Sequence, residues 1–191
     1  MPARYWLVQL VRACVAFLAG VLITLDQDHT ADYGIVMFAT FAIVAGLVVG
    51  AFWFVTDAAD RTLWLVQALV GVAAGVVALV VRSGGLGALL YGVSVWALLT
   101  GATELFGGWR ARRRTAGEES ALAARDRVLV GGFTVVLALV YLVIPADHRL
   151  AVGLFGAYAA IIGVYLAIGA FSLKWAKPAA APIEQNTESH A

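Results

Sequence analysis

The fold is decided by segments such as LGALLYGVSVWALLTGATELFGGWRARRR, residues 86–114. Its first part is an almost unbroken apolar run, and it ends in a block of arginines. An apolar run of about 18 or more residues is the signature of a membrane-spanning helix. The whole chain is 62% hydrophobic and 13% charged, whereas soluble domains are roughly half apolar and about a quarter charged. The composition therefore predicts an all-α, polytopic membrane protein.

Similar apolar segments fill most of the chain, and each is long enough to cross a hydrocarbon core of about 30 Å. The six predicted spans are residues 5–25, 33–56, 62–81, 86–108, 128–144 and 150–174. We expect residues 1–175 to form a single transmembrane domain. The polar tail 176–191, which is rich in Pro and Ala, is predicted to be a disordered cytoplasmic segment.

The distribution of Lys and Arg predicts the orientation, because cytoplasmic loops carry an excess of positive charge. With the N-terminus in the cytoplasm, only Arg82 and Arg149 face the opposite side. The other eleven basic residues face the cytoplasm, namely Arg4, Arg12, Arg61, Arg110, Arg112, Arg113, Arg114, Arg125, Arg127, Lys174 and Lys177. Both termini are therefore predicted to be cytoplasmic.

Short sequence motifs that recur along the chain, which we call echoes, predict a threefold internal repeat. WLVQ occurs at 6–9 and at 64–67, and the even-numbered spans carry FAIVAG at 41–46, WALLTG at 96–101 and YAAIIG at 158–163. These echoes divide the chain into three parallel helical hairpins, at about residues 4–56, 61–110 and 125–175. The glycines favour close helix packing, either within the bundle or in a homodimer.

The three hairpins and the WALLTGATELFGGWRARR end of the fourth span resemble the HdeD-type acid-resistance membrane proteins. That bacterial family is built from a short membrane repeat of unknown function, and the resemblance covers residues 4–175. It implies a multi-pass protein of the bacterial cytoplasmic (inner) membrane that is associated with acid or general stress. The family supplies no catalytic residues.

Glu104 is an ionisable residue inside a predicted span, and such residues are functional hypotheses by default. Arg12 lies at a comparable depth and is the predicted partner in an intramembrane ion pair. The repeat counterparts of Glu104 are Val49 and Leu166, so the repeat does not require a carboxylate at this position. A structural pair or a snorkelling charge, and a proton- or substrate-coupled role, both remain open.

Gln9 and Gln67 occupy equivalent repeat positions, where the third repeat has Arg127. They are predicted either to ring a polar vestibule or to form interhelical hydrogen bonds.

Two Asp-His pairs lie at corresponding external turns, Asp28-His29 and Asp147-His148. Histidine titrates near neutral pH, so these turns are candidates for pH sensing. A weak divalent-cation site is one alternative, and ordinary turn chemistry is the other, because Asp is favoured in turns.

The predicted main partner of the protein is the lipid bilayer. Anionic lipid headgroups suit the basic residues that follow the fourth span, namely Arg110, Arg112, Arg113 and Arg114. A protein partner or a homo-oligomer is possible, whereas the net charge of +1 indicates no nucleic-acid partner. No motif predicts a cofactor, a metal site or catalytic residues, so we expect no enzyme activity.

Three functions are compatible with these features. The first is a non-enzymatic membrane protein that supports stress tolerance or envelope integrity. The second is a small transporter or channel that uses Glu104 and Arg12 in a polar path. The third is an assembly partner of a larger membrane complex.

Overall fold

The computed structural model describes residues 5–26, 29–55, 61–114 and 118–175. These residues form α-helices and short 3-10 turns, and they contain no β-strand. The helices are α1 (Tyr5–Leu25), α2 (Ala31–Ala51), α3 (Arg61–Val80), α4 (Gly85–Arg114), α5 (Glu118–Val143) and α6 (His148–Trp175). The predicted tail 176–191 lies outside the described residues.

Six helices in this part of the chain are long and apolar enough to cross a bilayer. Helices suit that environment because they satisfy every backbone polar group within one segment. Large apolar side chains on the outer surface are exposed, among them Leu47, Leu69, Val95, Phe133 and Ile168. The chain is therefore a multi-pass integral membrane protein, as its composition predicts.

Two helices are longer than the sequence predicts. Residues 109–127 lie between the fourth and fifth predicted spans, yet α4 continues to Arg114 and α5 already begins at Glu118. Ala, Arg and Glu are good helix formers, and no proline interrupts them here. With 30 residues at about 1.5 Å each, α4 is roughly 45 Å long and extends beyond a hydrocarbon core of about 30 Å.

The helices form a ring in which α2, α4 and α6 also contact one another at the centre. The closest packing joins α2 to α3, α4 to α5, and α6 back to α1. The densest contacts thus run between the predicted hairpins rather than within them. The contacts within each predicted hairpin are sparser.

Equivalent glycines lie at these three close contacts. A Cβ atom on Gly46 would lie 2.8 Å from the Ala68 carbonyl oxygen, and one on Gly101 would lie 2.9 Å from that of Gly131. On α6, a Cβ on Gly163 would lie 2.7 Å from the backbone nitrogen of Phe17. The glycine of each predicted echo therefore lets its helix approach the next one, as expected for helix packing in lipid. The threefold repeat as a whole stays a prediction.

The two ends of the bundle differ in charge. We call the end where α4 finishes and α5 begins the basic end. Cation–π contacts occur there between Arg113 and Trp109, with 3.8 Å from Cζ to the ring centroid, and between Lys174 and Trp6, with 5.0 Å from Nζ. At the opposite end, Arg82 forms an exposed ion pair with Asp32.

Candidate intramembrane polar site

The site is centred on the carboxylate of Glu104, which is 1% exposed on α4. Arg12 on α1 donates from Nη2 to Oε1 at 2.6 Å, and Gln67 on α3 donates from Nε2 to the same oxygen at 2.9 Å. Arg127 on α5 donates from Nε to Oε2 at 3.2 Å. Side chains from three other helices thus converge on one buried carboxylate.

A buried tryptophan lies close to both guanidinium groups. Trp64 on α3 is 2% exposed. The Cζ atoms of Arg12 and Arg127 are 5.8 Å and 5.5 Å from its ring centroid. Cations within about 6 Å of an aromatic face are attracted by its quadrupole. Trp64 therefore contributes to holding both arginines inside the bundle.

Glycines make the arrangement possible on the α4–α5 side. A Cβ on Gly131 would lie 2.7 Å from the backbone nitrogen of Leu105 and 3.0 Å from the Cβ of Glu104. A Cβ on Gly107 would lie 2.7 Å from the Cζ of Arg127. The guanidinium group thus occupies space that the missing side chain of Gly107 leaves open.

A central cavity of about 50 Å³ adjoins the carboxylate. The three central helices each contribute side chains four residues apart, which lie on one helix face. They form three layers, namely Phe41, Trp96 and Tyr158, then Ala45, Thr100 and Ile162, and then Val49, Glu104 and Leu166. The last layer is the one nearest the basic end.

The aromatic layer closes the cavity on the side away from the basic end. Trp96 packs edge-to-face against Phe41, with 5.6 Å between ring centroids, and against Tyr158, with 6.4 Å. Phe38 and Phe155 continue this cluster toward the opposite end. Edge-to-face contacts of this kind stabilise aromatic clusters, and the far half of the bundle is packed with apolar side chains.

Two further hydroxyl groups lie on the cavity wall. The Thr134 hydroxyl and the Tyr158 hydroxyl are hydrogen-bonded at 2.8 Å, and Thr134 is also 2.7 Å from the Val130 carbonyl oxygen, to which it donates. Tyr158 therefore donates to Thr134. The cavity wall is polar toward Glu104 and aromatic on the far side.

The structure brings some predicted site residues together and separates others. Arg12 and Glu104 form the ion pair that their depths predict, and Gln67 joins them. Gln9 is also buried, but it is not among the described residues that line the cavity. Gln67 makes an interhelical hydrogen bond, which is one of the two predictions for these glutamines, and a polar vestibule ringed by both stays a prediction.

Sequence reasoning missed Arg127 as a second partner of Glu104. The signal was present, because Arg127 is the repeat counterpart of Gln67. Trp64, Thr100 and Tyr158 were also missed as parts of the site, since nothing in the local sequence separates them from ordinary packing residues.

The two turns that are predicted to be external show helix-end chemistry. At the start of α6, Asp147 Oδ1 accepts a hydrogen bond of 3.0 Å from the Leu150 N–H. This bond, helped by Arg149 and His148, lowers the pKa of the Asp147 carboxyl. In the first turn, Asp26 accepts a hydrogen bond of 3.0 Å from the His29 N–H, and His29 has a positive φ of 42°. Asp28 lies outside the described residues.

These contacts are those of a helix cap and a tight turn. A pH-sensing role for His29 and His148 stays a prediction. Within the described residues, no group of three or more His, Cys, Asp or Glu side chains is placed to hold a metal ion.

The predicted headgroup-binding arginines lie at the end of α4. Arg112 and Arg113 are exposed, Arg110 is partly exposed, and the side chain of Arg114 lies outside the described set. This surface contains one cation–π pair, between Arg113 and Trp109.

No family model, no curated protein and no solved structure matches the chain. The resemblance to the HdeD-type family therefore stays a prediction from the sequence. The class that the fold and the site define is an integral membrane protein with a buried, charged cluster beside a central cavity.

Proposed function

We propose that this protein is a small transporter or channel whose working site is the Glu104 cluster. The observation that supports this most is the convergence of Arg12, Gln67 and Arg127 on one buried carboxylate that lines a central cavity. Ionisable groups inside the membrane are costly and mark substrate or ion pathways.

Packing alone does not explain the cluster. Val49 and Leu166 line the same layer of the cavity as Glu104, so apolar side chains fill this position on the other two central helices. Buried ion pairs are often replaceable by apolar residues without loss of stability. A charged group at a level where the other two central helices carry apolar side chains is therefore better explained by function.

The site lies nearer the basic end, so the proposed path opens toward that end. The excess of Lys and Arg there favours a cytoplasmic location, with both termini on the same side. We further propose that the protein resides in a bacterial inner membrane and that Arg110, Arg112 and Arg113 bind anionic headgroups.

The association with acid or general stress, or with envelope integrity, rests on the sequence resemblance alone. We keep it as a proposal for the physiological setting in which transport would matter. Survival of a deletion strain at low pH tests it independently of the transport assay. Assembly into a larger complex is the third reading, and a crosslinking pulldown that recovers a defined partner would support it.

Proteoliposomes test the transport proposal. Purified protein is reconstituted, and the permeation of protons, chloride and urea is followed separately with entrapped dyes and by light scattering. We expect one of these fluxes to exceed that of protein-free liposomes and to be lost in Glu104→Gln.

The matched control is Asp32→Asn, which also removes a carboxylate from an arginine, but at an exposed position at the other end of the bundle. We expect this variant to retain the flux. A flux that persists in Glu104→Gln, or the absence of flux of all three probes, contradicts the proposal.

A further inference from the structure

The hydroxyl group of Thr100 differs from other threonine hydroxyls within the helices. Those of Thr24, Thr103 and Thr134 donate to the carbonyl oxygen four residues earlier, at 2.7–2.8 Å. Thr100 is 9% exposed, lines the cavity, and has no hydrogen-bond partner within the described part of the chain. Its hydroxyl group lacks even the local bond that its helix could supply.

Gln67 also has a buried polar atom without a hydrogen-bond partner among the residues that the structure describes, and this atom can only accept a hydrogen bond. Its Nε2 atom donates to Glu104, while its Oε1 atom is buried and accepts no hydrogen bond from the described residues. A buried acceptor without a donor carries an uncompensated desolvation penalty. Each such group in a folded protein calls for a partner, and a bound molecule is one explanation.

The size of the cavity limits that molecule. A buried water molecule needs a cavity volume of roughly 10–15 Å³. A cavity of about 50 Å³ therefore accommodates a few water-sized groups. A ligand of this site is therefore about as large as three to five water molecules.

The neighbouring charges limit its chemistry. The carboxylate of Glu104 already accepts hydrogen bonds from Arg12, Gln67 and Arg127. The two guanidinium groups outnumber the one carboxylate, so the cluster repels a cation. An anion is attracted by this net charge, but it cannot donate a hydrogen bond to the Gln67 carbonyl oxygen, which would stay without a partner among the described residues. A neutral molecule that both donates and accepts hydrogen bonds suits the Thr100 hydroxyl and the Gln67 carbonyl together.

We propose that the central cavity binds small neutral molecules that donate and accept hydrogen bonds, such as water and urea, between Thr100 Oγ1 and Gln67 Oε1. The aromatic layer of Phe41, Trp96 and Tyr158 forms the closed side of this binding site. The proposal deepens the proposed function and depends on it for permeation, but not for binding.

Binding of water is tested without any transport. X-ray radiolysis in nanodiscs generates hydroxyl radicals from bound water, and mass spectrometry measures oxidation of nearby side chains. Tyr158 on the cavity wall should be oxidised faster than Tyr141, which is buried at the other end of the bundle. Equal rates at Tyr158 and Tyr141 would overturn the proposal.

The matched pair of variants is Thr100→Val and Thr103→Val. Loss of one hydrogen bond corresponds to about a fivefold weaker binding of water. Thr100→Val should therefore reduce the Tyr158 oxidation rate about fivefold. Thr103→Val should leave it unchanged, because that hydroxyl bonds to Leu99 on its own helix. Similar rates in both variants contradict a role for Thr100.

Flux measurements separate this inference from the proposed function. Urea should permeate wild-type proteoliposomes faster than formate or methylammonium, and Thr100→Val should slow urea by about fivefold. Flux of charged probes alone overturns the neutral-ligand proposal and leaves the transport proposal standing. Oxidation at Tyr158 without any flux supports the binding site and overturns transport.

Discussion

Arg12 and Glu104, 92 positions apart in the sequence, form an ion pair of 2.6 Å inside the bundle. They belong to α1 and α4, helices whose backbones barely touch. The pair is therefore a connection made by side chains through the centre of the molecule. Because Glu104 also binds Arg127 and Gln67, its removal affects more groups than the removal of Arg12.

The first prediction concerns this asymmetry. Glu104→Gln should lower the free energy of unfolding by about 3–5 kcal/mol, because two guanidinium groups lose a buried carboxylate. Arg12→Gln should cost less, about 1.5–3 kcal/mol, since Glu104 keeps its bonds to Arg127 and Gln67. Unfolding by SDS titration in mixed micelles measures both.

The double variant completes the cycle. Combining Arg12→Gln with Glu104→Gln should lower the free energy of unfolding by less than the sum of the two single changes. In Glu104→Gln alone, Arg12 stays buried without its carboxylate, whereas the double variant no longer contains that arginine. Additive costs, or a larger cost for Arg12→Gln than for Glu104→Gln, would show that the pair is not coupled in this way.

The second prediction uses two adjacent glycines on α5. Gly131→Ala should destabilise the protein by about 1–3 kcal/mol, the usual cost of overpacking. A Cβ there would lie 2.8 Å from the Gly101 carbonyl oxygen. Gly132→Ala is the control, since nothing lies within 4 Å of its added Cβ. Thermal unfolding in detergent should show a lowered Tm for Gly131→Ala alone, and equal Tm values for both variants would contradict close α4–α5 packing.

The third prediction concerns pH. The hydrogen bond from the Leu150 N–H lowers the pKa of Asp147 below its ordinary value of 3.8. The folded state therefore binds the proton less tightly than the unfolded state, and the stabilisation is present above that value and lost as pH falls through the folded pKa. The Tm difference between wild type and Asp147→Ala should be constant from neutral pH to about pH 5 and shrink below about pH 4.

Asp147→Asn serves as its control, because asparagine can still cap the helix but does not titrate. Its Tm difference from Asp147→Ala should not change over the same acid range. A wild-type difference that grows toward low pH would contradict the assigned role of Asp147.

The fourth prediction tests orientation. Cys14 is exposed and is first replaced by serine. Single cysteines are then placed at Arg149, at the end opposite the basic end, and at Arg113. A membrane-impermeant maleimide added to intact cells should label Arg149→Cys and not Arg113→Cys. The reverse pattern would place the basic end outside the cell.

The sequence predicts the helices well, because long apolar runs have few alternatives in a bilayer. It also identifies Arg12 and Glu104, since charges in such runs are rare and their depths can be compared. The extension of α4 to Arg114 was not predicted, because apolar length marks the membrane rather than the end of the helix.

The lateral arrangement could not be derived from the sequence. Sequence adjacency favours packing of α1 on α2, whereas the structure packs α1 most closely on α6. The repeat marks Arg127 as the counterpart of Gln67, but its contact with Glu104 also depends on how α5 lies against α4. Thr100 is identified only by the absence of a local hydrogen bond among the described residues.

The buried cluster is, in our proposal, a working site rather than a structural one. The variant Arg12→Val, Glu104→Leu and Arg127→Gln gives each position a residue found at its repeat counterparts, Val70, Leu166 and Gln67. The direct test is the flux of urea, protons and chloride per folded protein in proteoliposomes of this triple variant. We predict a folded protein with the flux of protein-free liposomes, and a folded protein with wild-type flux would contradict the claim.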